Sequence, residues 1–276
     1  MQKISLVDET FDLNFTLEYK LSIQLSLDGF SFSILDTIQN KVIYLYHQEL
    51  FEAEPDFLLK RLKAIYEESD LLHLPFKKTR IIVVAPGRTT LVPKEIFEAK
   101  RCSEYIQASY YQPEGTCARG VYISSAKYWS VFELSGIIND FLEQKHPGAE
   151  FLSDLNVSLP QSLPHKKSLK ITVLKKHLIL TGYDDMGLTF HNSFFVDGEN
   201  DMLYFILGSV KNMVNEPETI ILDGVINKHA TIYHRLRQYF TDVIIEPNPQ
   251  EVHYSYLFDR LPDSRFVNLF KSFICA

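Results

Sequence analysis

The stretch from Leu21 to Leu35 constrains the fold more than any other. Leu21, Ile23, Leu25 and Leu27 alternate with Ser22, Gln24 and Ser26; Asp28-Gly29 interrupts; then Phe30, Phe32 and Ile34 alternate with serines. A period of two sends successive side chains to opposite faces of a strand, and Asp-Gly readily takes the positive φ of a tight turn. The pattern predicts a β-hairpin. Lys41 to Tyr46, rich in β-branched and aromatic residues, predicts a third strand directly after it.

Helical and buried-strand patterns then follow in turn. Phe57, Leu58, Leu62, Ile65 and Tyr66 have helical spacing, so a helix is expected over Pro55 to Leu72, with the proline in its first turn. The continuous apolar run Arg80 to Ala85 reads as a strand buried on both faces. A helix from Pro93 to Ser109, a strand from Gly120 to Ser124, a helix from Tyr128 to Gln144 and a closing strand from Ala149 to Leu152 complete the first set.

After the stretch Pro160 to Lys167 the same order returns. Leu169 to Val173, Leu178 to Tyr183 and Leu188 to Phe195 predict three strands. Glu199 to Val214 predicts a helix, Thr219 to Leu222 a strand, His229 to Phe240 a helix and Val243 to Glu246 a last strand. Strands and helices in this order give a layered α/β arrangement. We expect two domains, residues 1–160 and 161–276, the second carrying a C-terminal helix.

Composition narrows the function classes. With 28 Lys+Arg against 35 Asp+Glu, the chain has a formal charge of -7, unsuited to displacing counterions from duplex DNA. Cys102, Cys117 and Cys275 are far apart and form neither a disulfide framework nor a zinc knuckle. Acidic residues near the N-terminus argue against a signal peptide, and no apolar run approaches the roughly 20 residues that span a bilayer. A cytoplasmic protein without a transmembrane segment is expected.

Three strands, helix, strand, helix, strand, used twice, resembles the ribonuclease H-like half-domain duplicated in actin-like ATPases. The hairpin Leu21 to Leu35 and the stretch Arg80 to Pro93 also resemble a family of uncharacterised Bacteroidetes proteins (DUF3822). The resemblance implies two tandem half-domains, each a mixed five-stranded sheet with helices on its faces. It further implies ATP and Mg²⁺ held between the halves, gripped by an Asp-x-Gly hairpin from each.

Those gripping residues are degenerate here. In the first hairpin Asp28 and Gly29 are adjacent, with no residue between them. The corresponding stretch Ile171 to His177 has neither Asp nor Gly. A glycine pair expected to face adenosine is reduced to Gly224, preceded by Asp223. Phosphoryl transfer rests on positioning and on metal and dipole stabilisation, so loss of both phosphate turns predicts no turnover.

Other candidates are local. Gly87, Arg88 and Thr89 follow a buried strand, where open α/β sheets place ligand loops, although a full phosphate loop is absent. Ribonuclease chemistry needs several carboxylates around two metals, and the first strand offers Ser22 and Gln24 instead. No metal ligands and no catalytic residues are assigned. Lys77, Lys78 and Arg80, and Lys166, Lys167 and Lys170, are basic groups at strand entries that an RNA reading would use. Phe266, Leu269, Phe270 and Phe273 recur at helical spacing and face either their own chain or a partner.

The expectation is a binding or scaffold protein that acts through another protein and needs no cofactor. The alternative is an ATP-binding protein using Arg88 and Asp223 in an atypical site, and a further alternative is an RNA-associated accessory protein.

Overall fold

The computed structural model describes residues 3–26, 28–50, 54–84, 88–159, 167–185, 187–261 and 263–275. In chain order its strands and helices are β1 (Lys3–Val7), β2 (Tyr19–Ser26), β3 (Gly29–Asp36), β4 (Lys41–Gln48), α1 (Pro55–Glu67) and β5 (Lys78–Val83). Next come β6 (Thr89–Pro93), α2 (Cys102–Gln107), β7 (Thr116–Ile123), β8 (Tyr128–Ser135), α3 (Gly136–Lys145), β9 (Glu150–Ser153) and α4 (Asp154–Ser158). The remainder are β10 (Ser168–Val173), β11 (His177–Asp184), β12 (Gly187–Phe195), α5 (Glu199–Asn212), β13 (Thr219–Gly224), α6 (Thr231–Leu236), β14 (Asp242–Ile245), β15 (His253–Tyr254) and α7 (Val267–Lys271).

Two units emerge from the contacts. Met1–Ser158, Pro249–Arg260 and Asn268–Ala276 form the first, and Leu159–Asn248 with Leu261–Val267 the second. Most of the C-terminal segment groups with the first unit.

The duplication is explicit in the sheets. The first unit contains the order β4-β3-β2-β5-β9, and the second β12-β11-β10-β13-β14. In each, the hairpin pairs are antiparallel and the two pairs that follow are parallel. The first unit adds strands at one edge, where β1 and β15 both pair with β4. Lys41 joins them by pairing with buried Asp8 at 2.8 Å. Burial raises the Asp8 pKa, but hydrogen bonds from Lys41, Thr10 and Ser255 outweigh it and hold the carboxyl below its usual range.

Each sheet is covered by helices. Leu21, Ile23 and Leu25 of β2 face Leu62 and Tyr66 of α1 and Phe141 of α3 in one core. Ser22, on the opposite face, is covered by the C-terminal segment: its Oγ donates to the Leu269 carbonyl at 3.2 Å and lies 2.5 Å from Ser272 Oγ. Arg80, in register with Ser22, donates to the Ser272 carbonyl. In the second unit Leu169, Ile171 and Leu180 pack with Leu203 and Ile206 of α5 and Leu236 of α6.

Two expected helices are corrected. Tyr128 to Gln144 divides into strand β8 and helix α3. Both faces of β8 are apolar, Phe132 and Leu134 toward the main core and Trp129 and Val131 toward a smaller one, which hides the period of two. Pro93 to Ser109 is not one helix: Pro93 ends β6 opposite Tyr128, and only Cys102–Gln107 is α-helical. The three-stranded sheet β6-β8-β7 that results is inserted between β5 and β9.

Phe270 is fully buried and stacks on Phe258 at 5.8 Å. Phe270→Ala is expected to cost about 3–5 kcal/mol in urea unfolding; a loss below about 1 kcal/mol would show that the segment is not part of this core.

His146 is buried with Nε2 2.8 Å from the Tyr66 hydroxyl, and burial, with the nearby charges of His73 and Lys145, lowers its pKa to about 4. The folded state thus favours neutral His146: its contribution is complete above pH about 6.5 and is lost as pH falls toward 4, by about 3 kcal/mol. His191, lowered by burial to about 4, shares this window. Urea midpoints of the parent chain should fall between pH 6.5 and 4, and those of His146→Gln should fall less. Equal slopes would refute the assignment.

Candidate functional site

The turn after β2 places Asp28 and Gly29 at the carboxyl end of that strand. The Asp28 backbone N–H donates to Ser26 Oγ at 3.2 Å, closing the turn locally. Gly29 has φ +149°, and a Cβ there would lie 2.3 Å from the Gln48 carbonyl oxygen. The crowded approach of β4 to β3 therefore accounts for this glycine without any ligand.

Gly87 lies outside the described residues. Arg88 pairs through Nη1 with Glu133, whose side chain is buried, and Thr89 is buried in β6 opposite Phe132 of β8. The cation expected to hold an anion is half-exposed and pairs through one nitrogen with a buried carboxylate of its own chain.

In the second unit the turn between β10 and β11 closes with Leu174 N–H donating to the His177 carbonyl at 2.9 Å. Lys176 there pairs with Asp197 at 3.0 Å. At the end of β13, Gly224 has φ +91°, and a Cβ would meet the Val173 carbonyl oxygen at 2.1 Å. Ser264 covers this strand end, forming a single antiparallel bridge with Gly224 and donating from Oγ to its carbonyl at 3.3 Å.

Asp223 belongs to an ion cluster that the sequence reading missed. Lys170 of β10, 2% exposed, lies 2.9 Å from Asp223 Oδ2 and 2.7 Å from Glu246 Oε2. Burial opposes the charge on Lys170, but the two carboxylates outweigh it and raise its pKa above the ordinary lysine range. The signal was present: a lysine inside Leu169-Lys170-Ile171 interrupts a strand otherwise apolar at that point, and such a residue needs a buried counter-charge. Lys170 is consequently not part of a solvated basic patch.

The other basic residues also have partners. Lys78 and Arg80 meet Glu150 at 2.8 and 2.9 Å, Lys77 meets Glu18 at 3.7 Å, and Lys167 donates to Asn215 at 3.1 Å. Lys166 lies outside the described residues. Phe266, Leu269, Phe270 and Phe273 are all buried by their own chain, so as placed they offer no surface to a partner. Among the described residues, no helix is long and apolar enough to cross a membrane.

Two β-sheets of the same strand order and direction, with the C-terminal segment returning to the first, define the actin-like ATPase fold. A crystal structure from Bacteroides thetaiotaomicron, described as a protein with actin-like ATPase fold and unknown function, is similar at TM-score 0.75 and 24% identity, over 86% of this chain and 94% of that one. The PilM–PilN type IV pilus biogenesis complex contains a chain similar at TM-score 0.59 and 12% identity, over 93% of this chain and 97% of that one. Among proteins with curated descriptions, none matches the sequence. The family model described as "Protein of unknown function (DUF3822)" matches residues 8–243, and the chain belongs to that family.

Removing one member of a buried ion pair strands the other. Lys170→Met and Asp223→Asn are each expected to cost about 3–5 kcal/mol in urea unfolding. The double variant should cost clearly less than the sum; strict additivity would show that the two charges do not act together.

Proposed function

We propose that this protein is a cytoplasmic binding or scaffold protein that uses an actin-like fold to hold another protein and does not turn over nucleotide. The observation that carries the reading is the commitment of the candidate ligand groups to their own chain. Gly29 and Gly224 are required by carbonyl oxygens of neighbouring strands, Arg88 is held by Glu133, and Asp223 by Lys170. The second hairpin, Val173 to His177, contains neither the carboxylate nor the glycine that the fold's ATPases use.

Electrostatics points the same way. A triphosphate needs cations or backbone N–H groups aimed at it, and a Mg²⁺ needs carboxylates free to position its waters. Lys170 already has two carboxylate neighbours, and Asp223 is closed off at 1% exposure. A similar fold occurs in the PilM–PilN complex, which supports the use of such a scaffold to hold a partner.

The test is thermal unfolding of the full chain with Mg-ATP. No displacement of the midpoint is expected at any nucleotide concentration. A site filled at 100 times its dissociation constant adds about 2.7 kcal/mol, a displacement of a few degrees that would overturn the reading.

A further inference from the structure

Four large apolar side chains project from one end of the first unit. Leu13, Phe15 and Leu17 lie on the 3-10 segment Leu13–Glu18 that leads into β2, and Ile38 lies on the turn between β3 and β4. Their exposures are 52%, 53%, 62% and 72% in that order. The two pieces of chain meet: Thr37 donates from its N–H and its Oγ1 to the Glu18 carbonyl, at 3.2 and 2.7 Å. Leu17 and Ile38 flank that junction.

Carboxylates that serve the backbone hold both pieces in place. Asp12 Oδ1 accepts from the Asn14 N–H at 2.9 Å and from Asn14 Nδ2 at 2.8 Å. Asp36 Oδ1 accepts from the N–H groups of Ile38 and Gln39 at 2.7 and 3.2 Å. Bonds of this kind fix local turns, so the apolar side chains are presented on an ordered backbone. Exposed apolar side chains gathered at one place mark contact with another protein or with a membrane.

The same end of the sheet carries an uncompensated cation. Lys20 lies at the start of β2 in register with Lys78 of β5, and Arg80 stands two residues further along β5. Lys77 reaches back to the β3–β4 turn, donating to Thr37 Oγ1 at 3.1 Å. Glu150 takes up Lys78 and Arg80, and Glu18 lies 3.7 Å from Lys77. No carboxylate among the described residues pairs with Lys20. Burial, and then the charges of Arg80, Lys78 and Lys77, lower its pKa. A half-buried ammonium kept among three further cations is stabilised by an anion from outside the chain.

We infer that this end of the first unit docks on a lipid surface bearing acidic headgroups. Leu13, Phe15, Leu17 and Ile38 enter the acyl boundary, and the Lys20 ammonium, beside Lys78, meets headgroup phosphate. A bilayer fits these features better than a protein does. The side chains project from two turns, and a fluid apolar layer accepts any outline, whereas a protein partner must supply matching sockets. A second copy of the same end brings the same cations and no anion for Lys20. The assignment does not rest on the partner-binding reading above.

The test is co-sedimentation of the full chain with phosphatidylcholine vesicles, made with and without phosphatidylglycerol. The parent should sediment with the acidic vesicles and be released as salt is raised. Leu17→Asp and Ile38→Asp should each weaken this binding by roughly tenfold. Lys20→Gln should weaken it by about fivefold, the effect of one cation near an acidic surface. Tyr204→Asp, which replaces an exposed aromatic of the second unit, should bind as the parent does. Thermal unfolding checks that all four variants remain folded. Phe15→Trp should add emission that brominated acyl chains quench.

No sedimentation with acidic vesicles at low salt, or equal sedimentation of the parent and every variant, would overturn the assignment. So would a dimer of the parent that Leu17→Asp abolishes in the absence of vesicle binding, which gives the face to a second copy. Unquenched Phe15→Trp emission on bound vesicles would overturn it as well, because the segment would then lie outside the acyl layer.

Discussion

A sheet with parallel strands at its centre must be covered on both faces, because the crossovers that make it parallel leave its middle strands no solvated side. In the first unit this requirement decides where the end of the chain goes. The apolar face of β2 takes α1 and α3, while the opposite face carries Ser22 and Arg80, which cannot be buried against hydrocarbon alone. The C-terminal segment answers with the Leu269 and Ser272 carbonyls and the Ser272 hydroxyl, which place hydrogen-bonding groups opposite those polar side chains. Its aromatic residues then pack with one another, as in the Phe258–Phe270 stack. An aromatic stretch that looks like a partner-binding feature in sequence is thus the missing cover of a sheet.

In the second unit the same requirement is met differently. Lys170 stands in β10 among fully buried neighbours, and its charge is retained because Asp223 and Glu246 close on it from the two following parallel strand ends. The cluster spans three strands and fixes the end of the sheet where ligand loops of α/β folds arise. A buried cation satisfied twice over is a poor phosphate ligand, since recruiting it would uncover two acids. The same electrostatics hold this part of the fold together and leave the Lys170 ammonium enclosed by two acids.

Much of this was legible in the sequence. The Asp-Gly hairpin, the run at Arg80 and the recurrence of three strands after Lys167 gave the strand order because each rests on local periodicity. The β8 strand was misread because both its faces are apolar, and a two-sided strand carries no alternation. The short β1 and β15 were invisible, since five and two residues without turn signals look like loops until their partner strand is known. The candidate site was half legible. The loss of phosphate turns could be read directly, whereas the partner of Arg88 is 45 residues away and that of Asp223 lies on a neighbouring strand, beyond any local pattern.

The asymmetry between the two edges follows from what duplication leaves unfinished. Two copies of one sheet each expose the outer edge of their third strand, and an exposed edge promotes uncontrolled pairing unless something blunts or fills it. The first copy is filled from both ends of the chain, by β1 before the hairpin and β15 after the second sheet. The second copy has no spare segment of the described chain on its edge and no charge in place of one.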